Sequence, residues 1–186
     1  MKLINIKNVD NFPIYGGGVI VYSKYRNNIY LLLGRETCIT PWPDMYMFSE
    51  FGGKLEKNER IIDGIIREFY EETQGIFGIQ SELFNKIYNS NNKNCVYVPE
   101  TNSLYLFFKI KYDLNIINSY NNTYKYYREM VEKNNMLINY YEQGYYEKDQ
   151  IKYFKLKSLS NHKTKMRSHF VNITHFLVKN KEKLFV

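Results

Sequence analysis

The stretch from Glu59 to Glu72 constrains the fold more than any other part of this 186-residue chain. Its apolar residues recur at helical spacing, as expected of the core-facing side of a helix: Ile62, Ile65, Ile66 and Phe69. At about 100° per residue, Glu72 lies about 40° to one side of Glu68 and Glu71 about 60° to the other. The stretch therefore predicts a helix with an apolar face toward a core and three carboxylates on the opposite face.

Three carboxylates this close together are costly unless a cation joins them. Residues 56–72 carry six acids against three bases, a net charge of −3 in a chain whose total is +7, so the remainder carries +10. Hard carboxylate oxygens select Mg²⁺ or Mn²⁺ over zinc or copper, and Mg²⁺ keeps positions free for water and phosphates. A solvated helix face is the alternative, but acids gathered at one place in a basic chain favour a divalent-metal site that handles phosphates.

The helix and the loop before it also share a spacing pattern. A Gly is followed after five residues by Glu, and after seven more by Arg-Glu, an apolar residue, any residue and Glu-Glu. The residues that fill this pattern are Gly53, Glu59, Arg67, Glu68, Phe69, Glu71 and Glu72. The pattern resembles the Nudix hydrolase signature. That family carries Gly where Gln74 stands, so we expect the helix to run one residue further before Gly75 takes the left-handed conformation. Asn58, where relatives usually carry Gly, tolerates that conformation.

The resemblance implies roles for residues of the motif. The metal ligands that it implies are Glu68, Glu71, Glu72 and the backbone carbonyl of Gly52. It also implies an ion pair between Glu59 and Arg67 that holds the loop against the helix. Asp63, four residues before Arg67, is within reach of the same guanidinium.

Hydrolysis also needs a general base, which relatives place on a glutamate of the motif or on an acid in a later loop. The later acids in this chain are Glu142, Glu147 and Asp149. We select Glu147 because it stands just before a predicted strand, where relatives often carry an acid. The residues expected to serve catalysis are thus Glu68, Arg67, Glu59 and Glu147. Arg35 and Lys54 are expected to contact phosphate oxygens, with plain solvation as the alternative.

These residues favour a Mg²⁺- or Mn²⁺-dependent hydrolase that splits the diphosphate linkage of a nucleoside diphosphate joined to another group. A free nucleotide is the first substrate candidate, because Phe51-Gly-Gly-Lys54 resembles nucleotide-sanitising relatives. Capped RNA is the second, because of the +10 charge outside the motif. A catalytically silent module that binds a nucleotide or a protein is a third reading, against which the intact glutamate set argues. We expect no membrane partner and no obligatory protein partner.

Length and composition fit one domain over residues 1–186. The first ten residues show no apolar signal region and no run approaches a membrane span, so we expect a soluble, cytoplasmic protein. Abundant Asn, Tyr, Ile and Lys indicate an A/T-rich genome, such as that of a large DNA virus or of certain protists. A viral source would place the protein in the host cytoplasm or virion. Cys38 and Cys95 are expected to be reduced and structural. The histidines lack zinc-site spacing and are expected to bind no metal: His162, His169 and His175.

Apolar runs before and after the acidic helix predict a mixed sheet between helices, the α/β/α sandwich that the resemblance also implies. Strands are predicted at 16–22, 29–33, 83–88, 103–112 and 150–156, with a short strand ending at 51–53. The segment Asn89–Asn94 is interpreted as a hairpin loop. An apolar stripe near the C-terminus predicts a helix that covers the sheet: Met166, Phe170, Ile173 and Leu177.

A further helix is predicted as an insertion over 119–142. Its apolar positions recur at helical spacing: Tyr120, Tyr124, Tyr127, Val131, Ile138 and Tyr141. Packing of these tyrosines on the sheet is the favoured interpretation. The alternative is a lid that stacks a base and guides phosphates, because Lys125, Arg128 and Lys133 lie between the tyrosines.

Overall fold

The computed structural model describes residues 1–37, 44–90, 94–134 and 144–185. In these ranges a mixed eight-stranded sheet lies between two layers of helices, with one helix inserted before the last strand. This confirms the predicted α/β/α sandwich. None of the helices in the described part is both long and apolar enough to cross a membrane. Cys38, Glu142 and the C-terminal end of the predicted insertion lie outside the described residues.

The strands are β1 (Lys2–Ile4), β2 (Gly16–Tyr25), β3 (Asn28–Glu36), β4 (Phe48–Ser49), β5 (Phe51–Lys54), β6 (Cys95–Val98), β7 (Ser103–Lys109) and β8 (Lys148–Lys155). Their spatial order is β1-β6-β7-β2-β3-β4, with β5 paired to β2 and β8 paired to β3. Strands β2 and β7 are parallel, and the other pairs are antiparallel. The two short strands β1 and β6 have no counterpart among the predicted strands.

Strands β2 and β3 form a hairpin whose turn is shorter than the gap between the predicted strands at 16–22 and 29–33. Arg26 and Asn27 both have left-handed backbone, with φ of 46° and 59°. Two such residues form the turn whose twist matches that of paired strands, so the strands continue up to it.

Away from this turn, β2 and β3 separate and the segment β4–β5 lies between them. Gly17 of β2 faces Gly53 of β5, while Gly34 of β3 faces Ser49 of β4. This arrangement carries Gly52 and Gly53 into the middle of the sheet, where helix α1 packs on them.

The helices are α1 (Ile61–Glu72), α2 (Gln80–Ser90), α3 (Asn115–Lys133), α4 (Ser168–Lys179) and α5 (Lys181–Leu184), with 3₁₀ helices at Ile6–Asn11 and Leu156–Lys165. The predicted strand at 83–88 is wrong, because this segment belongs to α2. Leu83 and Ile87, four residues apart, are both fully buried, which is the spacing of a helix face and not of a strand. Residues 89–94 therefore connect a helix to a strand, with 91–93 outside the described ranges.

The C-terminal end of α1 also differs from the prediction. The helix ends at Glu72 and does not run a residue further. Gln74 itself takes the left-handed conformation, with φ of 55°, and Gly75 follows with φ of 68°. Asn58 has φ of 68°, the geometry expected for a residue that replaces Gly.

Alternate side chains of each strand enter two separate cores. Val19 and Val21 point to the side covered by α1, α2 and α3, whereas Ile20 and Tyr22 point to the side covered by α4 and α5. The predicted C-terminal stripe is buried throughout: Met166, Phe170, Ile173 and Leu177. The last three lie on α4, whereas Met166 stands just before the helix begins. Cys95 is free and buried, and burial raises the pKa of its thiol to about 12.

The inserted helix α3 begins at Asn115, four residues before the predicted start. Tyr120 and Tyr124 are buried against the sheet, whereas Tyr127 is 44% exposed. The Tyr120 hydroxyl lies 2.8 Å from the carbonyl oxygen of Glu72 and 2.7 Å from that of Lys148. In the described part of the helix, packing therefore accounts for the inner tyrosines and leaves Tyr127 at the surface.

Candidate metal and diphosphate site

Helix α1 is tied to the loop before it by an arginine. Arg67 donates to both carboxylate oxygens of Glu59, with Nε–Oε1 and Nη2–Oε2 distances of 2.9 and 3.2 Å. The predicted ion pair is thus present and bidentate, the geometry in which Arg binds carboxylates best. The hydrogen bond from Arg67 holds the pKa of Glu59 below its ordinary value. Asp63 is not part of this pair, because it contacts Arg60 instead.

Arg67 also reaches two of the three motif carboxylates. Its Nη1 atom lies 3.1 Å from Glu68 Oε1 and 3.3 Å from Glu71 Oε2. Glu68 rests against the backbone of β5, where a Cβ at position 53 would lie 2.5 Å from Glu68 Oε2. Only Gly at position 53 leaves room for that carboxylate.

Glu68 and Glu71 line a cleft of about 260 Å³. Its other charged residues are Lys54, Glu56, Arg67 and Glu147. Glu147, at the start of β8, is exposed across the cleft, and its negative charge acts on Glu68. The structure therefore brings together four of the predicted site residues outside the Glu59 pair: Glu68, Glu71, Glu147 and Lys54.

The surroundings of Glu68 and Glu71 disfavour the charged form of both carboxylates. Burial raises the pKa of Glu68, and it raises the pKa of Glu71 to about 7, with a further contribution from the charge of Glu68. The positive charge of Arg67 opposes both shifts. A second cation in the cleft would stabilise the charged forms of both carboxylates and lower their pKa values.

Glu72 does not share the surface position that the helix pattern predicts for it. Its side chain is 1% exposed and points into the sheet. Oε2 accepts a hydrogen bond of 2.6 Å from the Gly52 backbone N–H, and Oε1 lies 3.3 Å from Lys148 Nζ. Burial raises the pKa of Glu72, although the ammonium of Lys148 opposes the shift. The structure thus separates Glu72 from the cleft that Glu68 and Glu71 line.

Lys148 is the residue of this region that the sequence pattern does not reveal. It is 1% exposed, and its ammonium contacts Glu36 Oε1 and lies 2.9 Å from Ser49 Oγ. Arg167 reaches the same Glu36 oxygen from the start of α4, at 3.0 Å. A chain of buried charges thus crosses the sheet from Glu72 to Arg167. A lysine in a polar stretch before a strand is ordinarily a surface residue, so nothing in its local sequence marks it as buried.

Arg35 does not line the acidic cleft. Its guanidinium binds both oxygens of Asp149, at 2.7 and 2.9 Å, and lies over the ring of Tyr46. The ion pair engages both Arg35 and Asp149. Lys54 lines the cleft, and its contact with phosphate stays a prediction.

A second cavity, of about 200 Å³, lies behind Gly52 and Gly53. His169 Nε2 is 2.9 Å from Glu50 Oε1 at its wall, and Tyr105 and Arg167 line it as well. The other carboxylate oxygen of Glu50 is buried. No sequence motif marks these residues, since a single His and a single Glu form none.

The donor chemistry fits a hard divalent cation, because every candidate ligand is a carboxylate or carbonyl oxygen. As arranged, however, the described residues contain no group of three or more His, Cys, Asp or Glu side chains that could hold a metal ion. Arg67 stands between Glu68 and Glu71, and Lys148 holds Glu72. A cation would thus take over contacts that Arg67 now makes.

Comparison with known proteins gives distant structural similarities. No protein-family profile and no curated protein sequence match the chain. It is similar to a C. elegans Ap4A hydrolase in a binary complex, at 13% identity and a TM-score of 0.47, over 91% of this chain and 96% of that one. It is also similar to a bifunctional NMN adenylyltransferase/ADP ribose pyrophosphatase from Francisella tularensis complexed with AMP and a Mn ion, at 15% identity and a TM-score of 0.47, over 91% of this chain and 42% of that one. A mutT/nudix family protein from Listeria innocua aligns at 12% identity and a TM-score of 0.45, over 94% of this chain and 98% of that one.

Proposed function

We propose that this protein is a Nudix-type hydrolase that uses a divalent cation to split the diphosphate linkage of a nucleoside diphosphate joined to another group. One observation carries the proposal: Glu68, Glu71 and Glu147 meet Lys54 and Arg67 around a single cleft. Acids that bind a cation and bases that bind phosphate are the two groups that such a reaction requires.

Glu68 and Glu71 would hold the cation in the cleft, with Glu147 facing them. Glu72 and the Gly52 carbonyl are the further ligands that the family resemblance implies, and Glu72 would contribute from its buried position beside Gly52. When bound, Mg²⁺ or Mn²⁺ offsets the phosphate charge and lowers the pKa of water.

The chain's own residues bind the substrate and move the proton. Lys54 neutralises a phosphate oxygen, and the Glu59–Arg67 pair fixes the loop that carries Lys54, because Arg67 also donates to the Lys54 carbonyl at 3.3 Å. Glu147, exposed at the cleft, accepts a proton from the attacking water. The water oxygen bonds to one phosphorus, the bond from that phosphorus to the bridging oxygen breaks, and the second phosphate leaves with its electron pair.

The nucleoside is proposed to occupy the cavity behind Gly52 and Gly53. Its volume of about 200 Å³ suits a single base, and it adjoins the glycines beside which Glu68 rests. Tyr105 offers a ring for contact, and the carboxylate of Glu50, which lines the cavity, is an acceptor for a base N–H.

Product analysis over a substrate panel tests the proposal. Nucleoside triphosphates, dinucleoside polyphosphates and capped RNA are each incubated with Mg²⁺. We expect cleavage of at least one substrate into two phosphate-bearing products, and loss of most turnover in Glu68→Gln and Glu71→Gln. Glu82→Gln is the matched control, because Glu82 is an exposed glutamate on α2 that pairs with Lys86, away from the cleft. Binding of a nucleotide without any cleavage across the panel would instead establish the silent binding module.

A further inference from the structure

A basic groove lies at the end of the sheet remote from the acidic cleft. Its cavity has a volume of about 600 Å³ and is bounded by the β2–β3 turn, the end of β8 and the end of α4 with α5. Five cationic side chains line it: Lys24, Arg26, Lys155, Lys157 and Lys181. Glu182 is the one acid among the lining residues, so the groove carries a net charge of +4.

Carboxylate partners for these cations are few in the described part of the chain. Lys181 pairs with Glu182 at 3.6 Å, but the other four form no ion pair with any carboxylate in the described ranges. Like charges held together without counter-charges repel one another, which costs stability. An anionic partner would remove that cost, so the charge pattern indicates a polyanion.

An aromatic side chain stands among these charges. Tyr25 is 40% exposed and lines the groove. Its ring stacks on Tyr112 at a centroid distance of 4.6 Å and an interplanar angle of 10°, and the Arg26 guanidinium lies 5.1 Å from the ring centroid. Exposed tyrosine and arginine planes among lysines are the combination on which single-stranded nucleic acids stack while their phosphates are neutralised.

We propose that the basic groove binds single-stranded RNA, whose diphosphate-linked 5′ end reaches the acidic cleft. RNA binding by the groove does not depend on the proposed function. The inference that such an RNA is the substrate does rest on it. Lys24 lies seven residues along β2 from Gly17, which faces Gly53 at the cleft, so the two sites are about 23 Å apart along the strand. A single nucleotide in the cleft cannot span that distance, whereas an RNA chain can. The concave shape favours a strand over a flat anionic membrane.

Binding of a fluorescent, uncapped oligouridylate over a range of salt concentrations tests the groove without any catalysis. The variant is Lys24→Glu/Lys157→Glu, because both lysines are exposed and free of ion pairs with described residues. Its matched control is Lys2→Glu/Lys7→Glu, which makes the same change in net charge at exposed positions outside the groove. We expect the groove variant to bind about tenfold or more weakly at low salt, with a salt slope smaller by about 1.4 for two lost contacts.

At physiological salt the control should bind within about twofold of the wild type, because distant charges are screened there, whereas the groove variant should remain clearly weaker. An equal loss of RNA affinity in both variants, or no loss in either, would overturn the proposal that the groove binds RNA. The protein could instead bind anionic phosphatidylserine vesicles through Lys24 and Lys157 and not bind RNA. That result would overturn the proposal and identify the groove as a membrane-binding surface. Unfolding curves of each variant confirm that the fold is retained, and Lys181→Glu alone gives a milder version if the double variant does not fold.

Hydrolysis separates this inference from the proposed function. If both hold, the groove variant loses kcat/KM on long capped RNA and keeps it on mononucleotides. If the protein hydrolyses nothing yet binds RNA through Lys24 and Lys157, the proposed function is contradicted and RNA binding by the groove is supported. If it hydrolyses substrates and the groove variant matches the wild type on long RNA in both assays, RNA binding by the groove is contradicted and the proposed function is supported.

Discussion

Lys148 is the residue whose loss should disturb the molecule most. Its ammonium is buried among Glu36, Glu72 and Ser49. Lys148→Met keeps the volume but leaves Glu72 without its cation, so we expect a loss of about 3–5 kcal/mol in the free energy of unfolding. Urea denaturation measures it. Lys148→Met/Glu72→Gln should recover part of the loss, because Arg167 still pairs with Glu36. A Lys148→Met variant with the unfolding free energy of the wild type would contradict a stabilising role for the buried Lys148–Glu72 pair.

The Glu59–Arg67 pair should give the protein a specific response to acid. The pKa of Glu59 is below its ordinary value of 4.5 in the folded protein, so the pair stabilises the fold above that pH and loses its contribution as the pH falls through the lowered pKa. We expect Glu59→Gln to be less stable than wild type at neutral pH, with the difference shrinking below pH 4.5. Thermal unfolding across this range measures it, and exposed Glu82→Gln serves as the control. A difference that grows in acid would contradict the pair.

Sequence spacing predicted which motif residues meet, but not all of their surroundings. The Glu59–Arg67 pair follows from spacing along one helix and its loop. The burial of Glu72 does not, because the lysine that binds it comes from β8, which is distant in sequence. The pairing of Arg35 could not be predicted for the same reason, because its partner Asp149 also comes from β8.

At the scale of elements, α3 should act as a packing helix. Tyr124→Ala should lower the free energy of unfolding by about 3–5 kcal/mol and leave the Michaelis constant unchanged, because the side chain is 7% exposed. Tyr127→Ala, on the exposed side of the same helix, should change stability by less than about 0.5 kcal/mol. Denaturation and steady-state kinetics measure both. A raised Michaelis constant for Tyr124→Ala with normal stability would support a lid instead.

Elements with a clear period could be predicted, and short or ambiguous ones could not. The β2–β3 hairpin and α4 have long, regular apolar patterns. Helix α2 was misread because its Leu83-Phe-Asn-Lys-Ile87 segment contains too few apolar residues to distinguish the two periods. Strand β6 was missed because four buried residues in a row show no alternation.

Over the whole molecule, charge is divided between the two ends of the sheet. The motif region carries −3 within a chain of +7. The acidic cleft lies beside Gly53 and the basic groove beside the β2–β3 turn. Net charge could be read from the sequence, but the groove could not, because its cations come from β2, β8, a 3₁₀ helix and α5. Only the folded sheet brings them together.

Hydrolysis in ¹⁸O-labelled water, with products analysed by mass spectrometry, tests the central claim most directly. The substrate is whichever panel member the wild-type protein cleaves, incubated with and without Mg²⁺. Attack by water on phosphorus predicts one ¹⁸O atom in one of the two phosphate-bearing products, formed only with the cation and lost in Glu68→Gln. Products without the label, products formed equally without a divalent cation, or no cleavage of any panel member would contradict the assignment of this cleft as a metal-dependent diphosphate hydrolase.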